Sequence, residues 1–170
     1  FWDDADDTGG VTGDKYNDNN DATSTGSNEG FLPIGKSNPK FTGEYDGGGY
    51  SISGLTINRP STTKYIGLFG ITDGATIKNL SVTNDNITGK QWVGSLVGLT
   101  YSTTIDNCSS SGSVVSTNLT GGLVGYAYDN SIIRNSYSTA SVNGITGSLT
   151  GGLVGFIYNS HILNSYSTGS

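Results

Sequence analysis

From Tyr65 to Ser170 the hydrophobic and polar positions recur as one unit, copied four times. Each copy opens with a glycine-rich apolar run: IGLFG at 66–70, VGSLVG at 93–98, TGGLVG at 120–125 and again at 150–155. Each run carries one leucine, at Leu68, Leu96, Leu123 and Leu153, and closes on a second glycine. Further on comes the triplet Ile-x-Asn, with isoleucines at Ile77, Ile105, Ile133 and Ile162 and asparagines at Asn79, Asn107, Asn135 and Asn164. The asparagines are 28, 28 and 29 residues apart. A constant period of this length marks a stacked repeat architecture. About 28 residues suffice for two or three short strands with turns, so the pattern predicts an all-β chain in which each repeat is one coil of a parallel β-solenoid. Coils stack about 4.8 Å apart, and equivalent positions then form columns along the axis.

The leucines and isoleucines are the core columns, each buried side chain contributing roughly 1.5–3 kcal/mol before chain entropy is subtracted. Side chains alternate along a strand, so each asparagine, two places after an isoleucine, is expected to face inward with it. Buried amides need partners. Stacked asparagines supply them, which makes Asn79, Asn107, Asn135 and Asn164 a structural ladder rather than catalytic groups. The position between holds Lys78, Asp106, Arg134 and Leu163, an outward column with weak pairing between coils. A second apolar column, Ile71, Leu99, Tyr126 and Phe156, is followed two places later by Asp73, Tyr101, Tyr128 and Tyr158. The file Tyr101, Tyr128 and Tyr158 is the candidate contact surface, either open to a glycan or protein partner or packed ring on ring.

The repeats divide the chain. Residues 65–91, 92–119, 120–149 and 150–170 are the four units, and 31–64 is an entry segment with a degenerate first coil, making about five coils in all. In that segment Tyr50 to Ile57 alternates as a strand, introduced by the turn Asp46 to Gly49. Residues 1–30 are an irregular acidic cap with eight of the chain's 14 acidic groups. Within it DKYNDNND gathers hard oxygen donors. It reads as a solvated loop or as a calcium loop with Asp14, Asp18 and Asp21 as ligands, although it lacks the glycine and closing glutamate of an EF-hand. No other cofactor is suggested. The start at Phe1 and the stop within a repeat suggest a piece of a longer polypeptide.

Composition then narrows function. With 27 glycines, no methionine and a formal charge of −6 concentrated at the N-terminus, the repeat body is nearly neutral and offers no basic face for nucleic acid. No apolar stretch is long enough to span a bilayer as a helix. Cys108 is the only cysteine, so there is no internal disulfide, and it reads as a small filler. His161, the single histidine, reads as a solvated strand residue. Glycoside hydrolysis needs two carboxyl groups at a set separation. Asp73, Asp85, Asp106 and Asp129 form no such motif, and the chain is read as non-enzymatic.

The unit GGLVGYAYDNSIIRNSYSTASV, echoed as GGLVGFIYNSHILNSYSTGS, resembles the GLUG motif repeated in large bacterial surface and secreted proteins, adhesin-like molecules among them. The lead-in FLPIG, FTGEYDGGGYSISGLTI and YIGLFG is similar to the segment that precedes such repeats. The resemblance implies a right-handed parallel β-helix located extracellularly or at the cell surface, with a structural repeat and no active site to carry over. Three roles compete. The first is a stalk or contact module that meets a glycan or a surface protein of a host or neighbouring cell. The second is a homo-polymer joined through coil ends, since an uncapped solenoid exposes open ladders. A carbohydrate-active enzyme is third. Ice binding by the Ser and Thr files at 138, 139, 167 and 168 is less favoured, because those files are short and irregular.

Overall fold

A computed structural model describes residues 29–145 and 149–170, with the backbone alone at 61–63. The calcium reading of Asp14, Asp18 and Asp21 and nearly all of the 1–30 cap lie outside the described residues. Among those described there is no helix.

The first turn is β1 (Glu44–Ser53), β2 (Thr56–Ile66) and β3 (Phe69–Asp73). The next is β4 (Thr76–Val93) and β5 (Val97–Tyr101). Then come β6 (Thr104–Ser116), β7 (Thr120–Gly121) and β8 (Val124–Tyr128). The fourth turn is β9 (Ile132–Arg134), β10 (Tyr137–Ser138), β11 (Ser141–Gly144), β12 (Thr150–Gly151) and β13 (Val154–Tyr158). The chain finishes with β14 (His161–Leu163) and β15 (Tyr166–Ser167). Every ladder between these strands is parallel, so the molecule is a parallel β-solenoid. One wall is the four-stranded sheet β3-β5-β8-β13, and the rest of the circuit is an eleven-stranded sheet.

The solenoid has about four turns, not five. The stretch 29–43 forms no named strand and meets the ladder through isolated bridges, Gly30 to Ile57, Ile34 to Phe69 and Phe41 to Thr72, acting as a lid on the first turn. Phe41 packs on Phe69 at 4.9 Å and Tyr45 meets the same ring at 5.5 Å. At the other end, β14 and β15 begin a turn that the described residues do not complete.

Leu68, Leu96, Leu123 and Leu153 are buried, as are Ile77, Ile105 and Ile133. Ile162 is not: it is 37% exposed, because it lies on the last described turn and no described coil packs beneath it. Ile71 and Leu99 are buried yet outside the main apolar cluster.

The recurrent glycines have a steric cause. A Cβ on Gly125 would lie 2.5 Å from the Val93 nitrogen and 2.7 Å from the Gly98 oxygen, and one on Gly94 would lie 2.6 Å from the Gly125 nitrogen. Here the chain doubles back tightly and backbone packs on backbone both within and between turns. Any side chain at Gly94 or Gly125 would occupy space already filled by main-chain atoms.

Candidate contact surface

The Ile-x-Asn corner departs from strand alternation. Asn79, Asn107, Asn135 and Asn164 all have φ between 48° and 54°. Asparagine tolerates this left-handed conformation better than most residues. Rotation at one such residue resets which side of the chain faces in, so the inward orientation expected from parity is wrong. Asn107, Asn135 and Asn164 are exposed, Asn79 is partly so, and the residues after them, Leu80, Cys108 and Ser136, are buried instead. The amides form a broken ladder on the outside. Asn107 Nδ2 donates to Asn79 Oδ1 at 2.9 Å and Asn79 Nδ2 donates to Asp46 Oδ1 at 3.0 Å. Asn135 turns away and donates to Asp106 Oδ1 at 2.8 Å.

Directly inside this corner runs a hydroxyl relay. Ser136 Oγ donates to the Arg134 carbonyl of its own turn and accepts from the Cys108 N–H of the turn before. Ser165 Oγ does the same for Leu163 and for the Ser136 N–H. At the neighbouring corner Ser131 caps the Thr103 N–H and Ser160 caps the Ser131 N–H. Two successive turns, those of Thr103 and Cys108 and of Ser131 and Ser136, are thus each completed by hydroxyls from the turn that follows.

The outward charges pair, in a register that sequence spacing left open. Lys78 reaches back to Glu44 at 2.6 Å, and Asp106 holds Arg134 at 2.9 Å. Donation from Arg134 and then from Asn135 holds the Asp106 carboxyl below its usual range. The Asn79 amide, followed by the Gly48 N–H, does so for Asp46. Asp73 pairs with Lys40 at 2.8 Å.

Tyr101, Tyr128 and Tyr158 stand in register on the smaller sheet. Tyr101 meets Tyr128 edge to face at 5.3 Å, and Tyr128 stacks on Tyr158 at 5.3 Å and 13°. Lys40 Nζ sits 4.3 Å from the centre of the Tyr101 ring. In the lower part of the file the ring faces are therefore turned along the axis toward one another. Side-on, a partner meets ring edges there, while Tyr158, 55% exposed, keeps a free face on the last turn.

A second aromatic file escaped the sequence reading. Tyr137 and Tyr166 stack at 5.3 Å and 7° beside the asparagine corner. The register column is Ser51, Ser81, Ser109, Tyr137, Tyr166. Following this column rather than the aromatic residues alone would have revealed it.

With this geometry in view, comparison with known proteins identifies the repeat in the second half of the chain. The GLUG motif matches at residues 93–115, 116–143 and 146–170. Residues 93–170 form a GLUG repeat region. The unit at 65–91 lies outside the matched segments, in keeping with its shorter opening run. Halomucin of Haloquadratum walsbyi is 38% identical over 107 residues, 62% of this chain and 1% of that protein. A putative Gly-rich membrane protein of Evansella cellulosilytica is 43% identical over 84 residues, 47% of this chain and 10% of its own length. The chain thus spans a small fraction of the relatives it matches. No solved structure matches it.

Within the GLUG region the reactive groups are quiet. Cys108 is buried, which pushes its thiol up to about 11, far from a thiolate at neutral pH. His161 is exposed on β14 in register with Ile132. Among the described residues no three metal-capable side chains cluster, and no helix is long and apolar enough to cross a membrane.

Just before the GLUG region, Asp85 is buried, with only the Ser95 hydroxyl and the Ser113 N–H near its carboxylate and no cation beside it among the described residues. It sits where the ladder slips by one residue, between Val82 opposite Ser110 and Asp85 opposite Gly112. The slip turns an aspartate inward, and burial raises its carboxyl to about 6.

Proposed function

We propose that this chain is a non-enzymatic extracellular module of a microbial surface protein, adhesin-like in role, acting as a stalk whose side faces make contact with a glycan or a surface protein of another cell. The observation that carries the reading is the all-parallel ladder between successive turns, reinforced in its later turns by serine hydroxyls, which builds a stiff rod. Its carboxylates support it too. Asp46, Asp73 and Asp106 are each tied to a cation or amide, which suits adhesion better than bond cleavage. The names of the two relatives, one a halomucin and one a Gly-rich membrane protein, point the same way. The test is attachment: labelled chain is added to intact cells of the source microbe's community, and antibody to residues 29–170 is applied before permeabilisation. Saturable binding and surface staining support the module. Staining only after permeabilisation, or release of new reducing ends from polysaccharide, refutes it.

A second reading, association through coil ends, is favoured by one feature. Phe156, Ile157, Tyr158, Ile162, Leu163 and Tyr166 are all exposed on the last turn. The first turn is covered by 29–43, so copies of this 170-residue chain that meet through their last described turns would stop at a pair. Mass by light scattering over a dilution series separates the cases: continuous growth means filaments, a plateau at twice the monomer means pairing, and a constant monomer rejects both.

A further inference from the structure

The column Ser51, Ser81, Ser109, Tyr137, Tyr166 changes from small to large only once, between Ser109 and Tyr137. At that step a trough of about 220 Å³ opens on the side of the solenoid, between the Gly49 bend and the Tyr137 ring, with Asn79 and Asn107 along one margin. We propose that this trough binds one neutral hexopyranose unit of a glycan. The inference deepens the contact-surface reading above by giving it a ligand class and a place.

Three features select that ligand. Tyr166 lies one rung beyond Tyr137 and covers one face of its ring. The opposite face therefore looks back over Ser109 and forms the end wall of the trough. An aromatic face is electron-rich and attracts the weakly positive C–H groups on the flat side of a pyranose, and at Tyr137 that face is walled by hydroxyl and amide groups, which the free face of Tyr158 lacks among the described contacts. Along the floor, Ser109 Oγ donates to Ser81 Oγ at 2.8 Å, which leaves the Ser81 hydrogen to give. At the margin, Asn107 spends Nδ2 on Asn79, which leaves Oδ1 to accept. A free donor beside a free acceptor is what a sugar hydroxyl needs, since it both accepts and donates.

Size and charge complete the case. The volume is below the roughly 300–1,000 Å³ of drug-sized pockets and suits a single ring. None of the lining side chains is charged, so an acidic sugar gains nothing there. The trough is open at its sides, which lets the glycan continue in both directions. Because the serine-to-tyrosine step occurs once in this column, the described residues hold one such step and one such trough.

The test is a ¹⁵N-correlated NMR titration of the purified chain with the methyl glycosides of glucose, galactose, mannose and N-acetylglucosamine, and with methyl glucuronide. The expected result is saturable shifts at Asn79, Ser81, Asn107, Ser109 and Tyr137 with at least one neutral glycoside, at a dissociation constant on the order of millimolar. Tyr137→Phe keeps binding. Ser109→Tyr extends the tyrosine file over the trough and abolishes it. Tyr137→Ala weakens it about tenfold or more, with spectral dispersion reporting that the fold persists. The proposal is overturned by an absence of shifts with every neutral glycoside, by equal binding of the glucuronide, by shifts at Tyr101, Tyr128 and Tyr158 instead, or by unimpaired binding in Ser109→Tyr. None of these outcomes depends on cell attachment, so loss of the sugar site leaves the stalk reading standing, and failure of attachment leaves the sugar site standing.

Discussion

The glycine arc and the asparagine corner are both bends, repeated once per turn, and they solve the same problem by opposite means. At the arc, Gly94 and Gly125 have ordinary backbone angles, and their lack of a side chain is a matter of space. At the corner, Asn79, Asn107 and Asn135 have room for a side chain and an unusual φ, and the amide that tolerates the angle also ties one turn to a neighbour. The contrast shows that a recurring residue identity does not reveal which physical term selected it. Packing selects at the arc, and torsion plus hydrogen bonding selects at the corner.

The largest expected effect falls on the arc. Gly125→Ala places a methyl group 2.5–2.7 Å from main-chain atoms of Val93, Trp92 and Gly98 that have nowhere to go. Thermal or urea unfolding should show a loss of about 3 kcal/mol or more. Gly74, by contrast, has φ +65° and nothing within 4 Å of its missing Cβ. Gly74→Asn should change stability by less than about 0.5 kcal/mol, since asparagine accepts that angle. Equal losses at the two glycines would erase the distinction.

Next comes the interior strand between the bends, which obeys neither rule at Asp85. Its carboxyl titrates near 6 in the folded chain against 3.8 in the unfolded one, so the folded state binds the proton more tightly. The stabilising contribution is complete below 3.8, falls as pH rises through about 6, and is absent above it. Asp85→Asn should therefore stabilise the protein by up to about 3 kcal/mol at pH 8 and by almost nothing at pH 3.5. A gain that does not vary with pH would show that the carboxylate is not the cause.

Smaller effects sharpen the corner itself. Ser136→Ala strips the acceptor from the buried Cys108 N–H and should cost about 1–3 kcal/mol, with faster amide exchange at Cys108 as its signature. Asn107→Ala loses both the torsional tolerance and the amide bond and should cost about 2 kcal/mol. Asn107→Gly keeps the torsion and should cost about half as much. If alanine and glycine are equally harmful, φ is not what the corner needs.

Much of this architecture is legible in the chain because columns of identical apolar residues survive translation into stacked coils. Leu68, Leu96 and Leu123 are buried where a 28-residue period puts them. The asparagines misled because alternation was carried through a left-handed residue, where it does not hold. Ile162 misled because membership in a column says nothing of whether another coil lies below. Asp85 was invisible as a core residue because a one-residue slip in register has no mark in composition. Of the contact surface, the Tyr101 file was visible as a run of aromatic residues. The trough beside Tyr137 was not, because it arises from a change along one column and no residue in it stands out alone.

The hydroxyl relay has a mechanical consequence. Hydrogen bonds between turns lie along the rod, so tension on its ends loads them directly and opens the stack one turn at a time from whichever end is weaker. Ser131 and Ser136 cap one turn and Ser160 and Ser165 cap the next, so peeling across these turns meets a similar pair of hydroxyl bonds at each step. One 28-residue turn occupies about 4.8 Å of the rod and pays out about 95 Å of extended chain when it lets go. In a stalk made this way each released turn becomes about twentyfold longer, and a pull is dissipated in small, similar steps before the covered first turn is strained.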